Sequence, residues 1–364
     1  MLARLRAEGR DVVSLLEGEP DLPPPPAVIR ATAQAVRGGW TRYSDSSGLP
    51  ELKKLIARKL LKRNGIKVSE NNILVTNGAK QALYEALQAL CGPGDEVLIP
   101  RPYWVTFPES VKLAGAKPVF ADTRDGRLDV AALERAATRR TKAVIINTPN
   151  NPTGAVYPKA ALAALASLAR RRGFFIVSDE AYEDLVFDGA RHVSVASLGN
   201  AFARTVTIQT FSKSFSMTGF RVGFLAGPRE VVRAASRLHG HVTGNVCTFA
   251  QKGAVAACRV AGRELDRRRK LYQRRRDLAY SLASRLFDCA KPEGAFYLFA
   301  DARRHLGARF KDSAALAAYL LETAGVAVVP GSACGREGFL RFSFSAPEAA
   351  LREGFARVKE ALRP

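Results

Sequence analysis

Residues 205–223 read TVTIQTFSKSFSMTGFRVG, and this stretch decides how the chain folds. An apolar strand candidate, Thr205–Gln209, leads into a polar stretch with Lys213 between hydroxyl side chains and Arg221 eight residues later. A lysine that lies close to other positive charge and is partly desolvated has the lowered pKa that an amine nucleophile needs. The stretch therefore predicts a strand that ends at a reactive amine beside an anion-binding arginine.

Short apolar runs alternate with helical stretches from about residue 30 to residue 250. The strand candidates are Ile73–Thr76, Glu96–Ile99, Lys117–Phe120, Ala143–Asn147, Phe174–Ser178, Thr205–Gln209 and Arg221–Ala226. The helical stretches between them include Lys80–Leu90, Val130–Ala136 and Lys159–Arg172. Strand, helix and strand joined by short links are typical of the α/β class, with a mostly parallel central sheet flanked by helices.

The chain has 364 residues, which is long enough for two domains. Beyond about residue 255 a long helix leads into the strand candidates Phe296–Phe299, Val326–Val329 and Leu340–Phe344. We therefore predict a large domain over residues 30–254. A smaller α+β domain is predicted from residues 1–29 together with residues 255–364.

The densest basic run, residues 267–276, lies in the long helix of the smaller domain. Leu271, Leu278 and Leu282 recur at helical spacing, which predicts that they face inward and leave the arginines on a solvated face. The formal net charge of +22 favours anionic ligands. A basic surface for nucleic acid is the alternative, but the charge is spread along the chain, so no nucleic-acid partner is expected.

The overall composition is that of a soluble globular protein, with 47% hydrophobic and 25% charged residues. No run of about 18 apolar residues occurs, and the first ten residues mix charges without an apolar signal core. A cytoplasmic protein without a membrane span is expected. The five cysteines are scattered without CxxC spacing, which predicts free thiols and neither a disulfide framework nor a metal site.

Polar turns follow the strand candidates, where open α/β sheets bind their ligands. Residues 76–81 form a small-residue turn that opens a helix, and backbone N–H groups there bind phosphate. Residues 148–154 contain two prolines and two asparagines, which build a rigid turn. Asp179 follows another strand and is either a helix N-cap or a carboxylate that keeps a ring nitrogen protonated, with Tyr182 one helical turn further on.

These turns occur in the order found in class I and class II aminotransferases of fold type I. The chain resembles the bacterial aspartate-aminotransferase-like branch of that family. The motifs that carry the resemblance are Glu17-Gly18-Glu19-Pro20-Asp21, residues 43–48, Gly78-Ala79-Lys80-Gln81, Pro102-Tyr103-Trp104, Asn150-Asn151-Pro152-Thr153-Gly154, Asp179-Glu180-Ala181-Tyr182, Ser212-Lys213 with Arg221, and Arg341. They extend from near residue 12 to residue 345. The resemblance implies a pyridoxal 5′-phosphate (PLP) enzyme that moves an amino group from an L-amino acid to a 2-oxo acid.

The resemblance also implies roles for individual residues around PLP. Lys213 holds the cofactor as a Schiff base and moves the proton, while Asp179 pairs with the ring nitrogen. Asn151 and Tyr182 bind the ring's 3′ oxygen. Trp104 stacks on the ring face. The residues implied around the phosphate are Gly78, Ala79, Thr210, Ser212 and Arg221, and Lys80 is implied as a further cofactor-binding residue.

The same resemblance implies a substrate grip and a partner. Arg341 binds the α-carboxylate of the substrate bidentately, as arginine does best. Tyr43 reaches the phosphate of a neighbouring subunit, which implies a homodimer with shared active sites. The other residues implied at the substrate are Gly18, Trp104, Asn151 and Lys80.

The identity of the amino donor stays open between two residues. Lys80 matches the lysine that meets the distal carboxylate in acid-selective relatives, which favours aspartate or glutamate. Leu16 stands where such relatives tend to carry a small polar residue, which favours an apolar side chain. A PLP lyase or synthase of secondary metabolism on the same fold is the alternative to an aminotransferase, because a fold does not fix a reaction.

Overall fold

The computed structural model describes residues 7–260 and 262–363. Residues 1–6, which the sequence assigns to the start of the smaller domain, lie outside the described residues, as do Ala261 and Pro364. The strands of the described part are β1 Val13–Ser14, β2 Ile73–Thr76, β3 Glu96–Arg101, β4 Lys117–Asp122, β5 Thr141–Asn147, β6 Phe175–Asp179, β7 Thr205–Thr210, β8 Gly223–Ala226, β9 Asp288–Cys289, β10 Tyr297–Asp301, β11 Val326–Ala327, β12 Val329–Pro330 and β13 Phe339–Ser343.

Helices cover these strands. The α-helices are α1 Pro26–Arg37, α2 Pro50–Lys59, α3 Gly78–Leu90, α4 Thr106–Leu113, α5 Val130–Ala136, α6 Lys159–Arg172, α7 Arg229–Val242, α8 Thr248–Ala257, α9 Gly262–Ala283, α10 Ser313–Ala324 and α11 Glu348–Ala361. A π-helical turn, Leu60–Asn64, extends α2, and the 3₁₀ turns are Glu70–Asn72, Val195–Ser197, Ala201–Arg204, Thr218–Phe220, Arg303–His305 and Gly331–Cys334. Among the described helices, none is both long and apolar enough to cross a membrane.

The central sheet has seven strands in the order β2-β8-β7-β6-β5-β3-β4. Strands β3 to β7 pair in parallel, whereas β8 is antiparallel to both β2 and β7. The seven strand predictions for this part of the chain are confirmed, and their ends agree with the structure to within two residues. The parallel strands bring their carboxyl ends to one edge of the sheet, where a ligand site is expected.

Helices cover both faces of the central sheet. Successive strand residues point to opposite faces, so each strand contributes side chains to both layers. Ile145 of β5 packs in an apolar cluster with Leu83 of α3. Its neighbours Val144 and Ile146 pack on the other face with Leu165 of α6. This two-sided burial confirms the predicted α/β class with helices on both sides of the sheet.

The C-terminal part forms a four-stranded antiparallel sheet in the order β12-β13-β10-β9. Strand β1 adds the N-terminal segment to this part by pairing with β11 in parallel. Leu15, Leu298 and Phe342 share its apolar core, and Tyr182 and Phe187 from beyond β6 pack into the same core. The division into residues 30–254 and residues 1–29 with 255–364 stays a prediction.

The structure corrects the prediction that the arginines of the long helix α9 all lie on a solvated face. Arg268, Arg275 and Arg276 are buried, whereas Leu271 is only partly buried. Arg276 donates to the carbonyl oxygen of Pro292 at 2.6 Å and to Asp188 at 2.9 Å, and its guanidinium lies over the Phe187 ring. The prediction is wrong for these three arginines, whereas Arg267 and Arg274 are exposed as predicted. It failed because helical periodicity counts arginine as polar, and a buried arginine is stable when its charge and N–H groups are partnered.

Replacing Arg276 by methionine is expected to lower the free energy of unfolding by about 3 kcal/mol. Methionine fills similar space but leaves the buried Pro292 carbonyl without its donor, which costs up to about 3 kcal/mol. It also removes the guanidinium from Asp188, which is half-exposed and keeps Gln273 and Lys291 as partners. The matched control is Arg267→Met, on the same helix but exposed and paired with Glu264. Urea denaturation checks both variants, and equal losses would contradict a structural role for the buried arginine.

Candidate active site

A cavity of about 310 Å³ lies at the carboxyl ends of β5, β6 and β7. The size suits a small cofactor together with a small substrate. The N-terminus of α3, the N-terminal segment around Gly18 and strand β13 complete its walls. The residues that line the cavity are Gly18, Ala79, Lys80, Trp104, Asn147, Asn151, Asp179, Ala181, Tyr182, Thr210, Ser212, Lys213, Arg221, Tyr297 and Arg341.

Asp179 is the last residue of β6 and is buried. The residues that follow it form turns and no helix, so both the N-cap alternative and the predicted helical spacing to Tyr182 are wrong. The carboxylate still accepts a backbone hydrogen bond, from the N–H of Ala181 at 3.1 Å. Burial, together with the neighbouring charge of Glu180, raises the pKa of Asp179 to about 7. A cation beside this carboxylate would restore its ionised form.

Lys213 lies beyond β7 and is largely enclosed by aromatic side chains. Its ammonium nitrogen lies 5.8 Å from the ring centroid of Phe296 and 6.0 Å from that of Tyr182, and it donates to the carbonyl oxygen of Gly18. Burial lowers the pKa of Lys213 to about 8, and the charge of Arg221 acts in the same direction. A substantial fraction of this amine is therefore neutral near pH 7.5, as a nucleophile requires.

Arg221 and Gly78 form one wall of an anion pocket. Arg221 has a left-handed backbone, with φ of 55°, and donates to the backbone carbonyl oxygens of Thr218 and Asn77. Gly78 also has a positive φ, and a Cβ there would lie 2.6 Å from the Arg221 guanidinium. The glycine thus lets the guanidinium pack on the backbone at the start of α3.

Hydroxyl groups and a helix N-terminus complete the anion pocket. The Thr210 hydroxyl donates to that of Ser212 at 2.9 Å, and both residues line the cavity with Ala79 in the first turn of α3. Free N–H groups at a helix start, hydroxyls and a guanidinium are the donor set that binds phosphate. The residues named from the sequence for the phosphate therefore lie together.

Arg341 lies on β13 and is held in place from two sides. One terminal nitrogen donates to Asn151 Oδ1 at 2.9 Å and the other to the carbonyl oxygen of Leu16 at 2.6 Å. The guanidinium packs on the Tyr297 ring, 4.5 Å from its centroid. Its Nε has no hydrogen-bond partner among the described residues. A buried guanidinium of this kind suits a carboxylate ligand.

Gly18 lies against both Lys213 and Tyr297 in the cavity wall. A Cβ at this position would overlap the Tyr297 hydroxyl, so the close approach of the segment requires glycine. The carbonyl of Gly18 accepts from Lys213, and the preceding Leu16 carbonyl accepts from Arg341. The N-terminal segment therefore closes one side of the cavity through its backbone.

Sequence reasoning missed Tyr297 and Asn147. The hydroxyls of Tyr297 and Tyr182 lie 2.9 Å apart, and burial raises the pKa of both phenols. Asn147 accepts from the backbone N–H of Asn151 at 2.7 Å and so fixes the turn that carries it. An asparagine at the end of a strand signals a site residue, whereas a tyrosine inside an apolar strand is indistinguishable from a core residue.

Lys80 and Trp104 face each other in the cavity, with the lysine ammonium 5.3 Å from the indole centroid. Tyr43 is a predicted site residue that the cavity does not include. It is 96% exposed and lies in the loop after α1. Gly78 does not line the cavity either, but it supports Arg221 from behind.

The anion pocket, the amine and the buried carboxylate together fit one cofactor, PLP. Its phosphate suits the pocket of Arg221, its aldehyde suits the neutral amine of Lys213, and its ring nitrogen supplies the cation that Asp179 lacks. The fold and site thus define a PLP-dependent enzyme of the α/β class.

The chain belongs to the family of class I and class II aminotransferases, whose sequence model matches residues 10–358. It is 43% identical to a probable aspartate/prephenate aminotransferase of Aquifex aeolicus, over 98% of this chain and 93% of that protein. It is 41% identical to the aspartate aminotransferase of Geobacillus stearothermophilus, over 97% and 92% respectively. The solved aspartate aminotransferase of Thermus thermophilus with maleate superposes with a TM-score of 0.93 at 39% identity, covering 99% of this chain and 94% of that one. The chain is a PLP-dependent aminotransferase.

The rate at which PLP combines with the cofactor-free protein is expected to rise about tenfold per pH unit below pH 8 and to level off above it. The reason is that the neutral amine of Lys213 reacts with the aldehyde, and its pKa lies at about 8. Stopped-flow recording of the visible absorbance measures this rate. Lys213→Ala is the control and should give no visible band, while a rate that does not change between pH 6 and 8 would contradict the assignment.

Proposed function

We propose that this aminotransferase takes an acidic L-amino acid, aspartate or glutamate, as its donor and passes the amino group to a 2-oxo acid. The observation that carries the proposal is that Lys80 lines the same cavity as Arg341. A dicarboxylate has two anionic ends, and these two cations would bind one each. The names of the Aquifex and Geobacillus relatives, which include aspartate, support the same donor class.

Arg341 would bind the α-carboxylate of the donor in this proposal. Asn151 and the Leu16 carbonyl fix the plane of its guanidinium before substrate arrives, so little side-chain entropy is lost on binding. Lys80 would bind the distal carboxylate. Its cation–π contact with Trp104 helps to hold the long side chain in the cavity.

The chemistry would be divided between Lys213 and Asp179. PLP, when bound, supplies a ring that accepts the electron pair left at Cα when the proton departs. Lys213 would take and return that proton, which an amine with a pKa of about 8 does well near neutral pH. Asp179 would hold the protonated ring nitrogen by a charge-assisted hydrogen bond. Tyr182 and Asn151 would bind the 3′ oxygen, and Trp104 would cover the ring face.

The test is a screen of the PLP-loaded protein against single L-amino acids without an acceptor. Aspartate and glutamate are expected to remove the visible absorbance at least tenfold faster than alanine or leucine, because two cations bind them. Adding a 2-oxo acid should restore the band without release of ammonia. Ammonia release with the band preserved would indicate a lyase and overturn the proposal.

Replacing Lys80 by methionine tests the distal contact. The variant keeps the aliphatic stem on Trp104 but loses the charge, so the catalytic efficiency with aspartate should fall about 100-fold, or about 3 kcal/mol. The efficiency with leucine should change less than threefold. Steady-state assays with both donors measure this, and equal losses with the two donors would assign Lys80 to the cofactor region instead.

A homodimer with shared sites is the second part of the proposal. Tyr43, Trp40 and Phe249 expose large apolar side chains on one surface. That surface is ordered by the packing of Lys252 on the Trp40 ring at 4.3 Å and by the hydrogen bond from the Thr248 hydroxyl to the carbonyl oxygen of Arg42. Exposed aromatic clusters of this kind mark protein interfaces. A second copy would cover them and bring its Tyr43 toward the phosphate.

Hybrid dimers test the sharing of sites. Tyr43→Ala should weaken PLP binding about tenfold through the lost hydrogen bond to phosphate, and Lys213→Ala should abolish it. A hybrid of one Tyr43→Ala subunit and one Lys213→Ala subunit keeps one intact site if Tyr43 serves its partner. Fluorescence titration with PLP should then find one site per hybrid dimer with the affinity of the unmodified protein. Absence of that site would show that Tyr43 serves its own subunit, whereas unchanged PLP affinity of the Tyr43→Ala homodimer would show that it serves neither.

A further inference from the structure

A largely buried polar cluster lies behind the cavity, on the side of the sheet opposite Asp179. It consists of Glu180, His192, Gln209, Glu183 and Lys59, and we name it the Glu180 network. Asp179 and Thr210 line the cavity, whereas Ser178 and Gln209, each one residue earlier on its strand, point to the other face. The proposed chemistry uses none of the five residues.

Glu180 follows Asp179 directly, and its side chain is fully buried. Its carboxylate accepts four hydrogen bonds, from Ser178 at 3.0 Å, Ser194 at 2.7 Å, His192 at 3.1 Å and Gln209 at 3.1 Å. Its backbone N–H donates to Ile208 of β7 at 2.9 Å. Glu180 thereby joins the end of β6 to β7 and to the loop at residues 192–194.

Glu183 extends the network to α2. Its carboxylate accepts from Lys59, from Asn64 at 2.7 Å and from Gln209 at 3.0 Å. Lys59 also donates to the side-chain oxygen of Gln209 at 2.5 Å. Lys59 balances one of the two carboxylates, so the network is neutral when His192 carries a proton.

We propose that Glu180 and His192 are a positioning pair for Asp179, in which Glu180 fixes the turn at residues 179–181 and His192 cancels its charge. The inference rests on the proposed role of Asp179 at the ring nitrogen. Asp179 and Glu180 are consecutive buried carboxylates, and two such charges repel strongly in a low-dielectric interior. The proton on His192 weakens that repulsion, so that Asp179 can stay ionised to hold the cofactor.

The electrostatics of the groups that face His192 agree with this pairing. Burial acts to lower the pKa of His192, and Lys59 acts in the same direction, but the carboxylates of Glu180 and Glu183 outweigh them and raise it. Burial acts to raise the pKa of Glu180, but His192 and the serine hydroxyls hold it below its usual value. Both shifts therefore favour the ion pair between His192 and Glu180.

The chain contains a matched control for this pair. Glu85 of α3 and His239 of α7 form a second buried glutamate–histidine contact at 2.8 Å, with both side chains fully buried. This contact joins the same two residue types at least as deeply in the protein, although burial raises the pKa of Glu85, and it involves no residue next to Asp179. Substitution of the histidine in either pair is expected to lower the stability of the protein. Only the His192 substitution is expected to affect Asp179.

The experiment measures the dissociation constant of PLP as a function of pH for the full-length cofactor-free protein and four variants. His192→Gln keeps an N–H donor for Glu180 but removes the charge, so Asp179 should lose its ionised form at higher pH. The pH below which PLP binding weakens should rise by about one unit, with about tenfold weaker binding at pH 7. Glu180→Gln removes the repelling charge, so the same pH should fall.

Opposite shifts in the pH dependence of PLP binding are expected for His192→Gln and Glu180→Gln. A merely structural defect would shift the pH dependence of both variants in one direction. His239→Gln should lower the melting temperature about as much as His192→Gln and leave the pH dependence of PLP binding unchanged. A shift below 0.3 unit in both His192→Gln and Glu180→Gln, or an equal shift in His239→Gln, would overturn the proposal. Asp179→Asn separates this failure from that of the proposed function: if Asp179→Asn binds PLP with unchanged affinity and pH dependence, the role of Asp179 itself is wrong.

Discussion

The Asp179 carboxylate ends a buried strand with the amide of Ala181 as its donor, and such a carboxylate is costly unless a positive group lies against it. The cavity in front of it contains Lys213, Arg221 and Arg341, so the net potential there attracts anions. A ligand that combines a phosphate with a protonated ring nitrogen satisfies both demands at once. The electrostatics of the cavity thus suit PLP, and the cations that PLP leaves free suit a carboxylate ligand.

The antiparallel strand β8 brings together the two turns that form the anion pocket, one at the start of α3 and one beyond β7. Gly223 at its start pairs with Thr76 of β2 and with Thr210 of β7, at the two strand ends where the pocket begins. A Cβ at Gly223 would lie 2.8 to 2.9 Å from the backbone of Gly78, Ala79 and Gln209, so only glycine lets these strands close up. The guanidinium of Arg221 then reaches the backbone at Asn77. The antiparallel direction of β8 therefore brings Arg221 to Asn77, although the two residues lie 144 positions apart in the sequence.

Most of the sheet could be predicted from the sequence, because each buried strand is a short apolar run that carries its own signal. The site could be predicted where a polar residue follows such a run, as Asp179 and Lys213 do. The helix expected after Asp179 was wrong because Glu180 uses its backbone N–H to bind β7, a contact that no local pattern contains. Tyr297 was missed for the converse reason, since an aromatic residue in an apolar strand fits a core equally well.

The buried arginines of α9 show that local sequence patterns also miss contacts that shape the active site. Arg275 donates to both oxygens of Asp21, at 2.7 and 2.8 Å, and Arg268 donates to the Pro23 carbonyl at 2.7 Å. These partners lie about 250 positions away in the sequence, so helical periodicity could only assign the arginines to solvent. They fix the N-terminal segment just beyond Gly18, whose backbone closes the cavity. Part of the large positive charge is therefore used inside the protein, where it holds the segment that contacts Lys213 and Arg341.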